Sequence, residues 1–157
     1  MTVTTMEKTG SGTQTRDYLT IWIGEQIFGI PILQVQDVLG QQNVTKIPLS
    51  PRAVAGSLNL RGRIVTAIDV RACLGMPSLE KTSQPTMSVV VENGGELYSL
   101  MIDKVGDVLS LPANDFEKTP STLDPQWRNV SMGIYRLKDI LLMVLNVPVL
   151  LDELHKE

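Results

Sequence analysis

Short apolar runs rich in β-branched and aromatic residues alternate along this chain with Gly, Pro and Asn punctuation, the pattern of an all-β protein. Tyr18 to Ile23 reads as a strand stopped by Gly24, and Ile27 to Ile30 as its returning partner. Pro31 interrupts that hairpin and starts a short helical turn through Val35, because proline cannot sit inside a central ladder. Val44 to Ile47 reads as a short strand. Ser50-Pro51 to Gly56 carries a helix N-cap, proline at the first helical position and a glycine stop, and predicts one or two helical turns. Ser57 to Leu60 and Ile64 to Val70 flank Arg61-Gly62-Arg63 and read as a tight hairpin. Met87 to Glu92 and Leu97 to Ile102 flank Asn93-Gly94-Gly95, a strong hairpin signal. Val108 to Leu111, Ile134-Tyr135 and Ile140 to Leu145 complete about nine or ten strands. The Pro-rich stretch 112–129 reads as a long connection with little regular structure. Behind Pro148, Val147, Leu150, Leu151 and Leu154 recur at helical spacing and predict a short closing helix.

The pattern occurs twice. Ile27 to Ile32 aligns with Leu97 to Ile102, and Val35 to Leu39 with Val105 to Leu109, both at an offset of 70. Gly56-Ser57-Leu58 aligns with Gly133-Ile134-Tyr135, and Ile64 to Val70 with Leu141 to Val147, both at an offset of 77. The seven extra residues fall in the 112–129 connection, where insertions cost little. Two copies of about 70 residues predict two similar lobes. Each would be marginal alone, so the lobes are expected to share an apolar interface.

Composition narrows the function. The chain has 157 residues, 43% apolar and 20% charged, with a net charge of -3. That is ordinary globular composition, without the basic face of a nucleic-acid binder or the polybasic signal of a membrane-surface protein. The longest apolar run, Ile140 to Leu145, is six residues, far short of the roughly 20 that span a bilayer. The polar first fifteen residues lack the apolar stretch of a secretory signal, and the single cysteine, Cys73, has no internal partner. A cytoplasmic location is expected. One histidine, His155, close to the C-terminus, is a poor catalytic base, and one Cys with one His does not make a zinc site. Neither phosphate-cradle glycine signature is present. Asp69, Asp103, Asp107, Asp115, Asp124 and Asp139 are scattered and read as solvated turn and strand-end acids. The expectation is a protein that is not an enzyme and needs no cofactor or metal. Residues 1–16 read as a tail, 17–153 as the folded domain and 154–157 as a second tail.

Three features stand apart from core building. Arg61 and Arg63 flank a glycine at a hairpin tip, where a guanidinium is held out to meet a carboxylate on a partner or within the fold; a plain solvated turn is the alternative. Val35-Gln36-Asp37-Val38 fits a partner-groove rim and a buried strand equally. Val105 and Val108 hold the matching place in the second copy, where core packing is the simpler reading. Trp22 and Trp127 read as core and loop anchors.

Gly56-Ser57-Leu58-Asn59-Leu60-Arg61-Gly62-Arg63-Ile64-Val65, followed by Ile68-Asp69-Val70-Arg71 and Leu74-Gly75, resembles the central motif of the CheW family. Gly29 to Val38 resembles that family's first-lobe motif and Ile102 to Leu109 its second, so the resemblance covers about residues 17–153. It implies an all-β fold of two intertwined SH3-like five-stranded β-barrels with short helical turns. It also implies a non-catalytic adaptor joining methyl-accepting chemoreceptors to the histidine kinase CheA in a cytoplasmic array. A scaffold of a related pathway, in surface motility or biofilm signalling, is the alternative. Carried over by position, the partner-facing set is Val35, Asp37, Gly56, Asn59, Leu60, Arg61, Gly62, Val105 and Val108. Two departures stand out: Asp37 where the family commonly has Glu, and Thr66 where it commonly has Pro, which restores a backbone N–H that needs a partner.

Overall fold

A computed structural model describes residues 14–40, 44–48, 53–76 and 87–154. His155 and the expected turn at Ser50-Pro51 lie outside them. Among the described residues, β1 (Thr15–Ile23), β2 (Gln26–Pro31), β3 (Val35–Leu39), β4 (Val54–Leu60) and β5 (Arg63–Asp69) form the first run of strands. β6 (Met87–Asn93), β7 (Glu96–Ile102), β8 (Lys104–Pro112), β9 (Ser131–Arg136) and β10 (Leu141–Leu145) form the second. Helices are short: α1 (Val70–Cys73), α2 (Pro125–Asn129) and α3 (Val147–Leu154), with 3-10 turns at Ile32–Gln34 and Ala113–Asp115.

The strands make two five-stranded sheets, in the orders β8-β1-β2-β10-β9 and β3-β6-β7-β5-β4. Each sheet combines the first two strands of one sequence copy with the last three of the other, β1 and β2 with β8 to β10, and β6 and β7 with β3 to β5. The offsets read from the sequence carry one sheet onto the other. Phe28 opposite Met143 in the parallel β2–β10 pair becomes Tyr98 opposite Thr66 in the parallel β7–β5 pair. Val105 opposite Ile21 becomes Val35 opposite Val91, each beside a register shift. The two lobes are therefore intertwined, because every lobe is completed by strands from the other half of the chain.

This exchange explains the near-continuous apolar runs. Strands buried on both faces have no polar side to alternate with. In β1, Leu19, Ile21 and Ile23 point into a core shared by both sheets, while Tyr18 points into the first lobe's own cluster with Ile27, Tyr135, Leu142 and Val144. In β5, Ile68 joins the shared core and Val65 and Ala67 the second lobe's cluster. The shared core is the largest of the three and includes α3 through Val147, Leu150 and Leu151, as the helical spacing predicts. Both sheets are strongly curled. β3 and β4 are opposite edges of the second sheet, yet Asp37 of β3 lies 3.0 Å from Arg61 at the β4–β5 tip. The arrangement is compatible with an SH3-like fold, with curl rather than a closing ladder drawing the edges together.

Local readings fail where tertiary contacts outbid them. The helical turn expected before Gly56 is absent from Ala53 onward: the Ala53 carbonyl accepts a hydrogen bond from the Asp69 N–H, and Val54 already pairs with Ile68. Of the strand expected at Val44 to Ile47, only Thr45 is bridged, to Ser57. Val70 does not end a strand; it opens α1, which the Asp69 carboxylate caps by accepting from the Ala72 N–H at 3.3 Å. The 112–129 connection holds α2, with Asp124 as N-cap and proline next, a start signal that is present in the sequence. Thr66 has strand neighbours on both sides, Ser57 and Tyr98.

Gly56 and Gly133 occupy equivalent places, each where a strand crosses an outlying segment. A side chain on Gly56 would collide with the Thr45 carbonyl oxygen, and one on Gly133 with the Phe116 ring and the Glu117 carbonyl oxygen. Both neighbours are bridged to the adjacent residue, Thr45 to Ser57 and Glu117 to Ile134, so neither is free to retreat. Gly56→Ala and Gly133→Ala are each expected to cost about 2 kcal/mol or more, beyond the ordinary penalty for alanine at positive φ. Gly62→Ala, with open space around the added atom, should cost about 1 kcal/mol. Urea unfolding of the three variants checks the order; equal costs would contradict the contact.

Candidate functional site

The conspicuous polar feature is the β4–β5 hairpin tip. Arg61 and Gly62 both have positive φ, 52° and 85°, as a two-residue turn of the primed type demands. Glycine takes that conformation freely, but for arginine it costs roughly 1 kcal/mol. The turn is held by Asn59, whose Oδ1 accepts a hydrogen bond from the Gly62 N–H at 2.9 Å. The Arg61 side chain is 76% exposed and reaches back to Asp37, Nη1 to Oδ2 at 3.0 Å. The pair is electrostatic rather than a formed hydrogen bond, since Oδ2 is shielded from solvent and receives no aligned donor. The other oxygen, Oδ1, accepts from the Val38 N–H at 2.8 Å. Of the two readings of Arg61, the within-fold carboxylate is the one observed.

The remaining positions separate into two groups. Val35, Val105 and Val108 are half-buried and pack on the shared core from β3 and β8, the edge strands of the two sheets. The Val35 segment is a strand whose core face is only partly covered. Leu60 packs against the second lobe's cluster beside Leu58 and Val65. Gly56 is explained by its crossing with Thr45, and Asn59 and Gly62 by the turn. Asp37, Asn59, Arg61 and Gly62 are thus brought together at one end of the second sheet, whereas Val105 and Val108 lie on β8 of the first.

A second polar cluster was not foreseen. The Arg71 guanidinium of α1 donates two hydrogen bonds to Asp103, Nε to Oδ1 at 2.9 Å and Nη2 to Oδ2 at 2.6 Å. The Gly24 N–H, in the β1–β2 turn, donates to the same Oδ2 at 2.7 Å. Asp103 lies where the chain passes from β7 in one sheet to β8 in the other, so this ion pair ties both lobes at the crossover. Only 13% of the Arg71 side chain and 24% of Asp103 remain exposed. Burial opposes the Asp103 charge, but the donors from Arg71 and Gly24 outweigh it and hold the carboxyl below its ordinary range. Asp103, with the buried cap Asp69, is therefore a structural acid rather than a solvated one, whereas Asp124 caps α2 from an exposed position. At the matching first crossover the equivalent residue is Leu33, 93% exposed, an apolar side chain on the surface beside Val35. Trp127 is the anchor expected: its ring packs on Phe28 and its Nε1 donates to the Leu74 carbonyl at 3.0 Å.

Among the described residues, no group of His, Cys, Asp and Glu is placed to hold a metal, and no helix is long and apolar enough to cross a membrane. Paired, intertwined all-β lobes with a tethered arginine tip and half-buried edge valines define a class of binding module rather than a reaction centre. The CheW-like domain model matches residues 17–155, and the chain belongs to that family, a family of non-catalytic chemotaxis scaffolds. It is 28% identical over 131 residues to the chemotaxis protein CheW of Helicobacter pylori, covering 83% of this chain and 78% of that one. It is 29% identical over 148 residues to the chemotaxis protein CheW of Klebsiella aerogenes, covering 94% and 89%. The crystal structure of the scaffolding protein TtCheW from Thermoanaerobacter tengcongensis is similar with a TM-score of 0.76 at 26% identity, covering 87% of this chain and 88% of that one.

Asp103 gives the site a pH signature. A carboxyl whose pKa is lowered by folding contributes stability above its unfolded value, near 3.9, and loses it as pH falls through the lower folded value. Asp103→Asn is expected to destabilise the protein at neutral pH by about 2 kcal/mol, the scale of charged hydrogen bonds. Its stability should also fall less steeply than that of the parent below about pH 4. Thermal unfolding across pH 2 to 7 checks both signs.

Proposed function

We propose that the chain is a cytoplasmic adaptor that couples methyl-accepting chemoreceptors to the histidine kinase CheA and is recruited to receptor arrays at the inner face of the membrane. Residues 17–153 are the coupling domain, which β1 extends back to Thr15 and α3 carries on to Leu154. The reading is carried by one observation: Val35, Val105 and Val108, on edge strands of different lobes, rim the shared core with part of their apolar surface uncovered. An apolar strip of that kind suits the tip of a receptor helical hairpin, laid in by its hydrophobic face. The Arg61 tip, held against Asp37 two residues along β3 from Val35, supplies a charge that a partner carboxylate can share with Asp37. The kinase's regulatory domain takes another surface of the lobes. Two non-equivalent surfaces on one rigid body let the protein hold both partners at once, and this raises their effective concentration.

The test is binding of the purified chain to a receptor cytoplasmic fragment and to the regulatory domain of the resident CheA, separately and together. Val35→Glu is expected to weaken receptor binding at least tenfold, about 1.4 kcal/mol, by placing a charge in the strip. Arg61→Ala should lower coupling of receptor state to kinase activity while changing stability by less than about 1 kcal/mol, the range of an exposed ion pair. Retained receptor affinity in Val35→Glu, or unfolding of Arg61→Ala by several kcal/mol, would overturn the assignment.

A further inference from the structure

The two lobes are built to one plan, and at one place they are filled differently. In the first lobe, Tyr18 of β1 is buried, and its Cβ lies 3.2 Å from where a side chain on Gly29 of β2 would begin. The Tyr18 ring packs edge-on to Tyr135 of β9 at 5.5 Å, with the two hydroxyls 3.3 Å apart. That aromatic pair fills the lobe's interior and satisfies its own polar ends. Shifted by the repeat offsets, Tyr18 becomes Ser88, Gly29 becomes Ser99 and Tyr135 becomes Leu58. The second lobe thus has two hydroxyls where the first has a ring resting on a glycine.

The consequences are visible in the second lobe. Ser88 is 4% exposed and Ser99 1%, and neither Oγ has a hydrogen-bond partner among the described residues. Ser88 lies opposite Met101 and Ser99 opposite Val90 in the β6–β7 ladder, so the two serines share one face as diagonal neighbours. That face looks into a partly open cavity of about 10 Å³, lined by both serines with Leu58, Met87 and Met101 and bordered by Gly40 and Val44. The volume is near the minimum that one water requires, and two orphaned hydroxyls are the polar partners that keep a water in place. An apolar ligand would leave both hydroxyls unpaired.

We propose that this cavity is a structural water site, in which a single water bridges Ser88 Oγ and Ser99 Oγ and takes the place of the first lobe's aromatic pair. A high-resolution crystal structure of the full chain, together with urea unfolding of Ser88→Ala, Ser99→Ala and the double variant, tests it. The expected density is one water oxygen within hydrogen-bond distance of both Oγ atoms, and no such density in the double variant. Each single variant should lower the urea midpoint, because it orphans the remaining hydroxyl and strips the water of a partner. The double variant should lower it by less than the two single shifts combined. A parent structure without that density, hydroxyls turned onto backbone carbonyls, or additive shifts would each overturn the proposal.

Discussion

Leu19, Ile21, Phe28 and Ile30 of one sheet face Ile68, Val89, Val91 and Leu100 of the other, and this apolar layer is the contact on which the rest of the molecule depends. Each lobe's own cluster is small, with Leu58, Val65 and Ala67 as the fully buried members in the second lobe. A few side chains of that size, each contributing roughly 1.5–3 kcal/mol on burial, do not offset the ordering of a five-stranded sheet. The shared layer supplies what the separate lobes lack. The first sheet is moreover closed across the chain: β1 and β2 precede, and β8 to β10 follow, the contiguous run β3 to β7 that makes the second sheet.

Symmetry of plan and asymmetry of detail then divide the labour. The crossover after β2 leaves Leu33 in solvent, whereas the crossover after β7 is locked by Arg71 and Asp103. The first lobe's interior holds a tyrosine pair, the second's a pair of serines. The arginine tip exists only in the second lobe; the corresponding β9–β10 turn of the first lobe carries Lys138 and Asp139. An adaptor needs surfaces that differ while moving as one body. A duplicated frame with substitutions at its crossovers and turns provides that without a second core.

Much of this was readable from the residues. The Asn-Gly and Arg-Gly turns placed the hairpins, the closing helix followed from the spacing of Val147, Leu150 and Leu151, and the repeat offsets anticipated a two-lobed plan and a shared interface. The exchange of strands was not readable from the repeat, whose offsets fit two separate lobes equally well; only the family resemblance implied intertwined lobes. The helical turn expected at Ser50 to Gly56 is replaced by strand from Val54 onward, because cap and proline signals are worth about 1 kcal/mol and a strand ladder with a backbone bond from Asp69 to Ala53 outweighs them there. Arg61 was identifiable by its place at a tip, but its partner Asp37 lies across a curled sheet, a distance that periodicity does not encode. The Arg71–Asp103 pair was hidden for the same reason. Both residues stood in recognisable motifs, and only the fold brings them to 2.6 Å.

Native-state hydrogen exchange of the full chain tests the central claim, that the two lobes are one cooperative body built on a common apolar layer. The slowest amides of β1 and β2 should share one opening free energy with those of β6 and β7, and that energy should equal the global value from urea unfolding. Opening of one sheet's central strands at a markedly lower free energy than the other's would show two independently stable lobes and contradict it.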